Sequence, residues 1–244
     1  MKAIRHILRR ELASYFVTPI AYVVLVFFLV LANLLAFWLG ALYEREQADL
    51  APFFRFLPWL YLFLIPAISM RLWAEERRNG SIELLLTQPV TLWQAVLGKF
   101  FAAWLFVGIA LILTFPLWYT INYLGDPDNG AILASYISSF FLAGGFLAVG
   151  SFSSALTKNQ LIAFLVAMMI CFVLLIAGYS PVTDWFGGWM WQWLIDGIMS
   201  LSFLAHTENL LKGVLDLRDV LYFALVTVFF LLACTVVLES RKSK

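Results

Sequence analysis

RLWAEERRNGSIELLLTQPVT, residues 71–91, is a charged, turn-rich passage set between two long apolar runs. Its signals read in order as helix, sharp turn, short helix, sharp turn, long helix. Gly80 suits the left-handed position that closes the preceding helix. Ser81 can cap a new one, and Glu83 then falls in its first turn, where a negative charge meets the positive end of the helix dipole. This short helix runs from Ile82 to Thr87, and Pro89 stops it. Thr91, with Gln94 three residues on, forms a capping box that starts the next long helix. Ile82, Leu84, Leu85 and Leu86 are too many apolar side chains for so short a helix to bury alone, and the charges around them place it outside lipid. Contiguous apolar surface facing water implies a partner or a fold-back contact. A soluble motor and the chain's own N-terminal helix are both candidates, and one does not exclude the other.

The runs on either side of this passage set the solvent of the whole chain. Of 244 residues, 63% are hydrophobic and 13% carry charge, whereas a soluble chain is about half apolar and about a quarter charged. Most of the surface therefore faces lipid. Five stretches free of Asp, Glu, Lys and Arg are long enough to cross a hydrocarbon core: 20–42, 100–123, 131–157, 159–183 and 220–238. A sixth, 56–78, has a shorter apolar centre holding Pro58 and Pro66 and continues past Arg71, whose side chain can snorkel to the interface. The expected fold is an all-α membrane protein with six transmembrane helices in a single domain, 1–244.

Charge sets the orientation. With six crossings and both termini cytoplasmic, twelve of the 16 Lys and Arg residues lie inside, and only Arg45, Arg55, Lys212 and Arg218 lie outside. A seventh crossing over 185–205 would export the basic C-terminus and bury Asp196 at a cost of roughly 3 kcal/mol. Residues 184–219 are instead expected as an outer-face helical hairpin turning at Asp196-Gly197, with an ordinary interfacial loop as the other reading. His206 there stands alone in sequence, which favours a hydrogen-bonded interfacial side chain over a metal ligand.

Residues 1–19 read as a basic amphipathic helix on the cytoplasmic membrane face, ended by Pro19. The apolar run that follows them is too long for a signal peptide. Ile4, Ile7, Leu8, Leu12 and Tyr15 share one side, and Glu11 falls in the middle of it. A carboxylate there is costly unless paired. Arg71 or Arg78 is the expected partner, and a solvated Glu on a frayed helix is the competing reading.

Several function classes are excluded. The five long stretches hold no Asp, Glu, Lys, Arg or His, the groups that proton-coupled and voltage-driven machines need inside the membrane. Gly98-Lys99 is the sole Gly-Lys pair, and Trp93 stands where a nucleotide-binding loop requires its first glycine. The chain is therefore not expected to hydrolyse nucleotide. Cys171 and Cys234 lie in apolar runs without metal-ligand spacing, so neither metal nor disulfide is expected. A net charge of +1 gives no field for nucleic acid. The serine-rich stretch 150–154 lacks a nucleophile-elbow pattern, and the small residues from Ala143 to Ala155 read as helix-packing surface.

The run Arg71-x3-Glu75-Glu76-Arg77-Arg78-Asn79-Gly80-Ser81-Ile82-Glu83-Leu84-Leu85-Leu86-Thr87-x-Pro89-Val90-x7-Gly98-Lys99 resembles the hallmark of ABC type 2 exporter permeases, close to the gliding-motility GldF-like branch. Glu11-Leu12-x2-Tyr15-Phe16-x-Thr18-Pro19 looks like that branch's entry helix. His206-x2-Asn209-x3-Gly213-x2-Asp216-x2-Asp219-x2-Tyr222-Phe223 looks like its approach to the last span. The resemblance implies a connecting helix, a coupling helix between spans two and three, and re-entrant helices before span six. It also implies two permease copies, identical or related, assembled with two copies of a separate ATPase that holds the ATP and Mg. Relatives in this branch are often accompanied by a membrane-anchored auxiliary protein with an extracytoplasmic domain. The implied setting is a prokaryotic inner membrane. Glu75, Glu76, Arg77, Arg78 and Glu83 would frame the ATPase contact, Gly80, Ser81 and Pro89 would shape it, and Leu84, Leu85 and Leu86 would insert. Spans rich in Phe, Trp, Leu and Ala suit an amphipathic or lipid-like cargo. A complex that passes ATP-driven motion to an extracytoplasmic partner without moving a solute is the alternative.

Overall fold

The computed structural model describes residues 2–40, 49–80, 91–179, 193, 197, 199–211 and 216–240, and every element among them is helical. In chain order these are α1 (Lys2–Val17), α2 (Pro19–Leu34, ending in a π-helical turn at Leu35–Leu39), α3 (Ala51–Ser69), α4 (Arg71–Asn79) and α5 (Leu92–Ile112). They continue as α6 (Phe115–Leu124), α7 (Asn129–Leu156), α8 (Gln160–Ile176), α9 (Phe203–Leu211) and α10 (Leu217–Ser240).

Five helical stretches are long and apolar enough to cross a membrane: Ala21–Leu39, Ala51–Asn79, Leu92–Leu124, Asn129–Leu156 and Leu217–Ser240. The expected crossing over 159–183 is a shorter apolar helix, Gln160–Ile176. Its 17 residues span about 25 Å at 1.5 Å per residue, a little under the thickness of a hydrocarbon core. The expected span over 56–78 starts earlier, at Ala51, and is divided in two. The expected span over 100–123 likewise starts earlier, at Leu92, and bends at Leu113–Thr114 between α5 and α6.

The molecule is organised around α7, which packs against α3, α5, α8, α9 and α10. Apolar side chains gain little by leaving lipid for a protein interior, so helices associate through close packing and interhelical hydrogen bonds. The sequence of α7 supplies both. Ala143, Gly144, Gly145, Ala148, Gly150, Ser151, Ser153 and Ser154 are all buried, as the packing-surface reading requires. Nearer its start, larger rings take over. Trp104 of α5 stacks on Phe140 at 4.4 Å between centroids, and Phe54 of α3 meets Tyr136 edge-on at 5.0 Å.

The serines do more than save space. Pro58 and Pro66 interrupt the hydrogen-bond ladder of α3, and the chain turns at Met70 before α4 begins. A new helix start leaves N–H groups without partners, and here a neighbouring helix supplies them. The Ser154 hydroxyl accepts from the backbone N–H of Trp73 and of Ala74, both at 3.0 Å, and donates to the Met70 carbonyl at 2.8 Å. The Trp73 indole donates to Ser151 Oγ at 3.2 Å, and Arg77 donates to the Ala155 carbonyl. By these bonds α4 is fastened along the end of α7. Ser153, one position away, bonds only its own helix at the Val149 carbonyl.

Ser154→Ala is therefore expected to strand two buried N–H groups and to lower stability by about 1–3 kcal/mol, read as an earlier thermal unfolding transition in detergent. Ser153→Ala is expected to shift the transition less. Equal shifts would show that the hydroxyl at 154 is filler.

Candidate coupling site

The expected coupling helix, with Ser81, Glu83, Leu84, Leu85, Leu86 and Pro89, lies outside the described residues, as does Asp196 of the outer hairpin. The structure describes both flanks of the turn. α4 ends at Gly80, whose φ of 70° is the left-handed closure expected of it. On the far side, Thr91 Oγ1 accepts from the Gln94 N–H at 3.4 Å while Gln94 Oε1 accepts from the Thr91 N–H at 3.3 Å. That is the expected capping box, and it fixes where α5 begins.

Between these flanks lies a buried charge. Lys99, on the second turn of α5, is 3% exposed. Its ammonium lies 2.8 Å from Glu76 Oε1 of α4 and 3.5 Å from Glu11 Oε1 of α1, and 5.2 Å from the centre of the Trp73 ring. Arg10 meets the same Glu11 oxygen at 2.9 Å from the exposed side. One ammonium thus joins the two helices that flank the turn to α1, far earlier in the chain.

Helix periodicity explains how the residues converge. On α5, Ala95, Val96, Ala102, Ala103 and Phe106 are buried on the face that carries Lys99. On α1, Ile4, Ile7, Leu8, Glu11, Leu12 and Tyr15 face inward while Arg5, Arg9 and Arg10 are exposed, so the amphipathic pattern holds. Close approach of α1 to α5 depends on Gly98, where an added Cβ would meet Ile7 Cγ2 at 2.7 Å. On α4, Glu76 follows the buried Leu72 and Trp73 by four and three positions.

Glu11 and Arg71 line one polar pocket of about 290 Å³ together with Tyr15, Glu75, Glu76 and Lys99. The Arg71 guanidinium is paired along its own helix with Glu75, at 3.1 Å, and Glu11 contacts Lys99 and Arg10. The expected Glu11–Arg71 pairing is replaced for a geometric reason: Glu75 lies one helical turn from Arg71, while Lys99 points directly at α1. The three acids of the pocket (Glu11, Glu75, Glu76) meet two bases within it, Arg71 and Lys99, and a third, Arg10, from outside. Burial, helped by the Glu11 charge, holds the Tyr15 phenol above its ordinary pKa. Tyr15 therefore stays neutral and serves as an aromatic wall, stacked on Phe106 at 5.0 Å. Arg77 is tied to α7, and Arg78 is exposed at the end of α4.

A second polar cluster lies before the last long helix. His206 Nδ1 is 2.6 Å from Asp219 Oδ1, and its Nε2 is 3.1 Å from the Ser200 carbonyl. The ring stacks on Tyr222 at 3.9 Å. Asn209 falls on α9, and its side chain is not among those described. No group of three potential metal ligands occurs among the described residues.

Sequence reasoning passed over Lys99, Trp73 and the Ser151–Ser154 anchor. The available signal was a matched pair of anomalies. Glu11 is a lone acid on the apolar side of α1, and Lys99 is a lone base on the apolar side of α5. Two such misfits of opposite sign are each other's natural partners.

The family model described as ABC-2 family transporter protein matches residues 23–242. The chain belongs to the ABC-2 transporter family. ABC-2 proteins are the membrane permeases of ABC transporters, which work with an ATPase subunit. The chain is 30% identical over 134 residues to heme exporter protein B of Rhodobacter capsulatus, covering 54% of this chain and 58% of that protein. It is 31% identical over 114 residues to heme exporter protein B of Paracoccus denitrificans, covering 46% of this chain and 50% of that protein. The chain thus spans about half the length of these curated relatives.

Lys99→Met, which leaves two partly buried carboxylates without their shared cation, is expected to cost this ABC-2 permease about 3 kcal/mol and to lower its melting temperature in detergent. Adding Glu11→Gln and Glu76→Gln should restore most of the loss. A triple variant no more stable than Lys99→Met would show that Lys99 acts through packing instead.

Proposed function

We propose that the chain is the permease subunit of an ABC exporter that takes its motion from a separate ATPase at residues 81–90 and passes it inward through the Lys99 node. The observation that carries this reading is the placement of Lys99 between Glu76 and Glu11. The two helices that flank the 81–90 turn, α4 and α5, are joined by the same ammonium that holds α1. A push on the turn displaces all three together, and the Ser154 anchor carries that displacement into α7. Glu75, Glu76, Arg77, Arg78 and Glu83 frame the ATPase contact, Gly80, Ser81 and Pro89 set its turns, and Leu84, Leu85 and Leu86 insert.

In the assembly so proposed, two permease copies, identical or related, pair with two ATPase copies that hold ATP and Mg. A membrane-anchored auxiliary protein belongs to the same proposal, as does membership of the GldF-like branch. The same proposal has six crossings, the five long apolar helices and the shorter Gln160–Ile176, with both termini in the cytoplasm of a prokaryotic inner membrane and 184–219 on the outer face. The cargo class is amphipathic or lipid-like. The name heme exporter protein B, carried by two relatives, supports that class, because heme joins an apolar ring to charged carboxylates.

Leu85→Asp is expected to abolish association with the ATPase in a pull-down from membranes while the permease stays inserted at its normal level. Retention of the complex would remove 81–90 as the coupling element.

A further inference from the structure

A groove of about 450 Å³ opens between the α5–α6 bend and α7, and it shares no lining residue with the Lys99 pocket. Its volume lies within the range of small-ligand sites, about 300–1,000 Å³. The bend makes it. At Thr114 the hydroxyl turns back to the Leu111 carbonyl at 2.6 Å, and α6 departs from the line of α5 to leave Leu111, Ile112 and Phe115 on one wall. Leu133, Ile137 and Phe140 of α7 form the other.

The wall offers carbon only. Two of the lining side chains carry polar atoms, and both turn them to the protein. Tyr136 Oη lies 2.9 Å from Thr114 Oγ1, and Trp118 Nε1 donates to Asn129 Oδ1 at 2.7 Å. A polar ligand would lose its water and find no partner. At the α6–α7 end the character changes. Asn122 and Asn129 are exposed and exchange amide hydrogen bonds at 3.0 and 3.1 Å beside Trp118. The ten residues of α6 span about 15 Å, about half of a hydrocarbon core of about 30 Å. The groove itself follows α7 from Leu133 to Phe140, about 11 Å at 1.5 Å per residue, an apolar trough with an amide rim beyond it toward residues 124–128.

We propose that this groove holds an acyl chain of a membrane phospholipid, with its headgroup at the Asn122–Asn129 end, where the exposed carboxylates of Asp126 and Asp128 suit the ammonium of a phosphatidylethanolamine. A chain seated there touches wall on several sides, whereas a lipid against a convex helix touches one, and each extra contact adds dispersion attraction. The site does not depend on the coupling reading above.

The full chain would be placed in vesicles of phosphatidylethanolamine and phosphatidylglycerol doped with a phosphatidylethanolamine carrying a diazirine in one acyl chain, irradiated, and its adducts mapped by mass spectrometry. Adducts are expected on 111–118 and 133–140 at about fivefold the density on 161–173, although Leu161 and Met169 of that stretch, at 65% and 66% exposed, are barer than Phe115 at 55%, Leu133 at 50% and Ile137 at 37%, and close to Ile112 at 72%. Ile137→Trp and, separately, Leu133→Trp fill the trough and should lower groove adducts about threefold without changing those on 161–173. Labelling that follows exposure alone, or that neither tryptophan moves, would overturn the proposal. So would a copy-to-copy disulfide formed by Leu133→Cys in membranes, which would assign the trough to a second copy. Where a tryptophan variant fails to insert, the wild-type adduct ratio decides.

Discussion

A lysine that is 3% exposed and faces two carboxylates on two other helices is the constraint on which this end of the protein is arranged. Burying an ammonium costs several kcal/mol unless the geometry of its partners returns it. The site meets that demand with Glu76 at 2.8 Å, Glu11 at 3.5 Å and the Trp73 ring face. Each condition then constrains backbone. Glu11 must be on α1 at the level of α5, so Gly98 must lack a side chain. Trp73 must hold its ring under the ammonium, and its indole N–H is fixed by Ser151. The charge cluster and the serine anchor are therefore one connected piece, running from α1 through α5 and α4 to α7.

That continuity gives the ABC-2 permease a mechanical character that apolar packing in lipid would not provide. Helices held only by dispersion can slide, because lipid competes on equal terms for their surfaces. A buried charge that loses its partners cannot slide at comparable cost. The two flanks of the 81–90 turn are clamped, whereas α2 and α10 present mostly exposed apolar faces. The rigid portion lies where an external push is proposed to arrive.

Much of this was readable from residue order, and the reasons are local. Gly80, the Thr91–Gln94 box and the amphipathic α1 each depend on a few neighbours, and each was found as expected. The small-residue face of α7 was also legible, because a run of Ala, Gly and Ser within a long apolar helix has one common use. What failed to show were contacts between distant segments. Glu11 was recognised as needing a cation, but Lys99 is one of many bases in the chain, and the choice is made by how α1 lies on α5. Ser154 serves a helix start some eighty positions earlier, and no local pattern announces that. Residues 159–183 read as a full span because apolar composition continues past Ile176, where helix α8 ends.

On the proposed function, Lys99 locks α1 and α4 into one body, and the two move together when the ATPase acts. Spin labels at Arg9→Cys and Asn79→Cys, both exposed positions on those helices, measure it directly by pulsed dipolar spectroscopy in the ATPase complex. Between the nucleotide-free and ATP-trapped states, the distance from 9 to 79 within one copy should stay constant while the distance between the two copies of 79 changes. A change from 9 to 79 as large as that between the copies would mean that the helices move separately and that the buried lysine does not transmit.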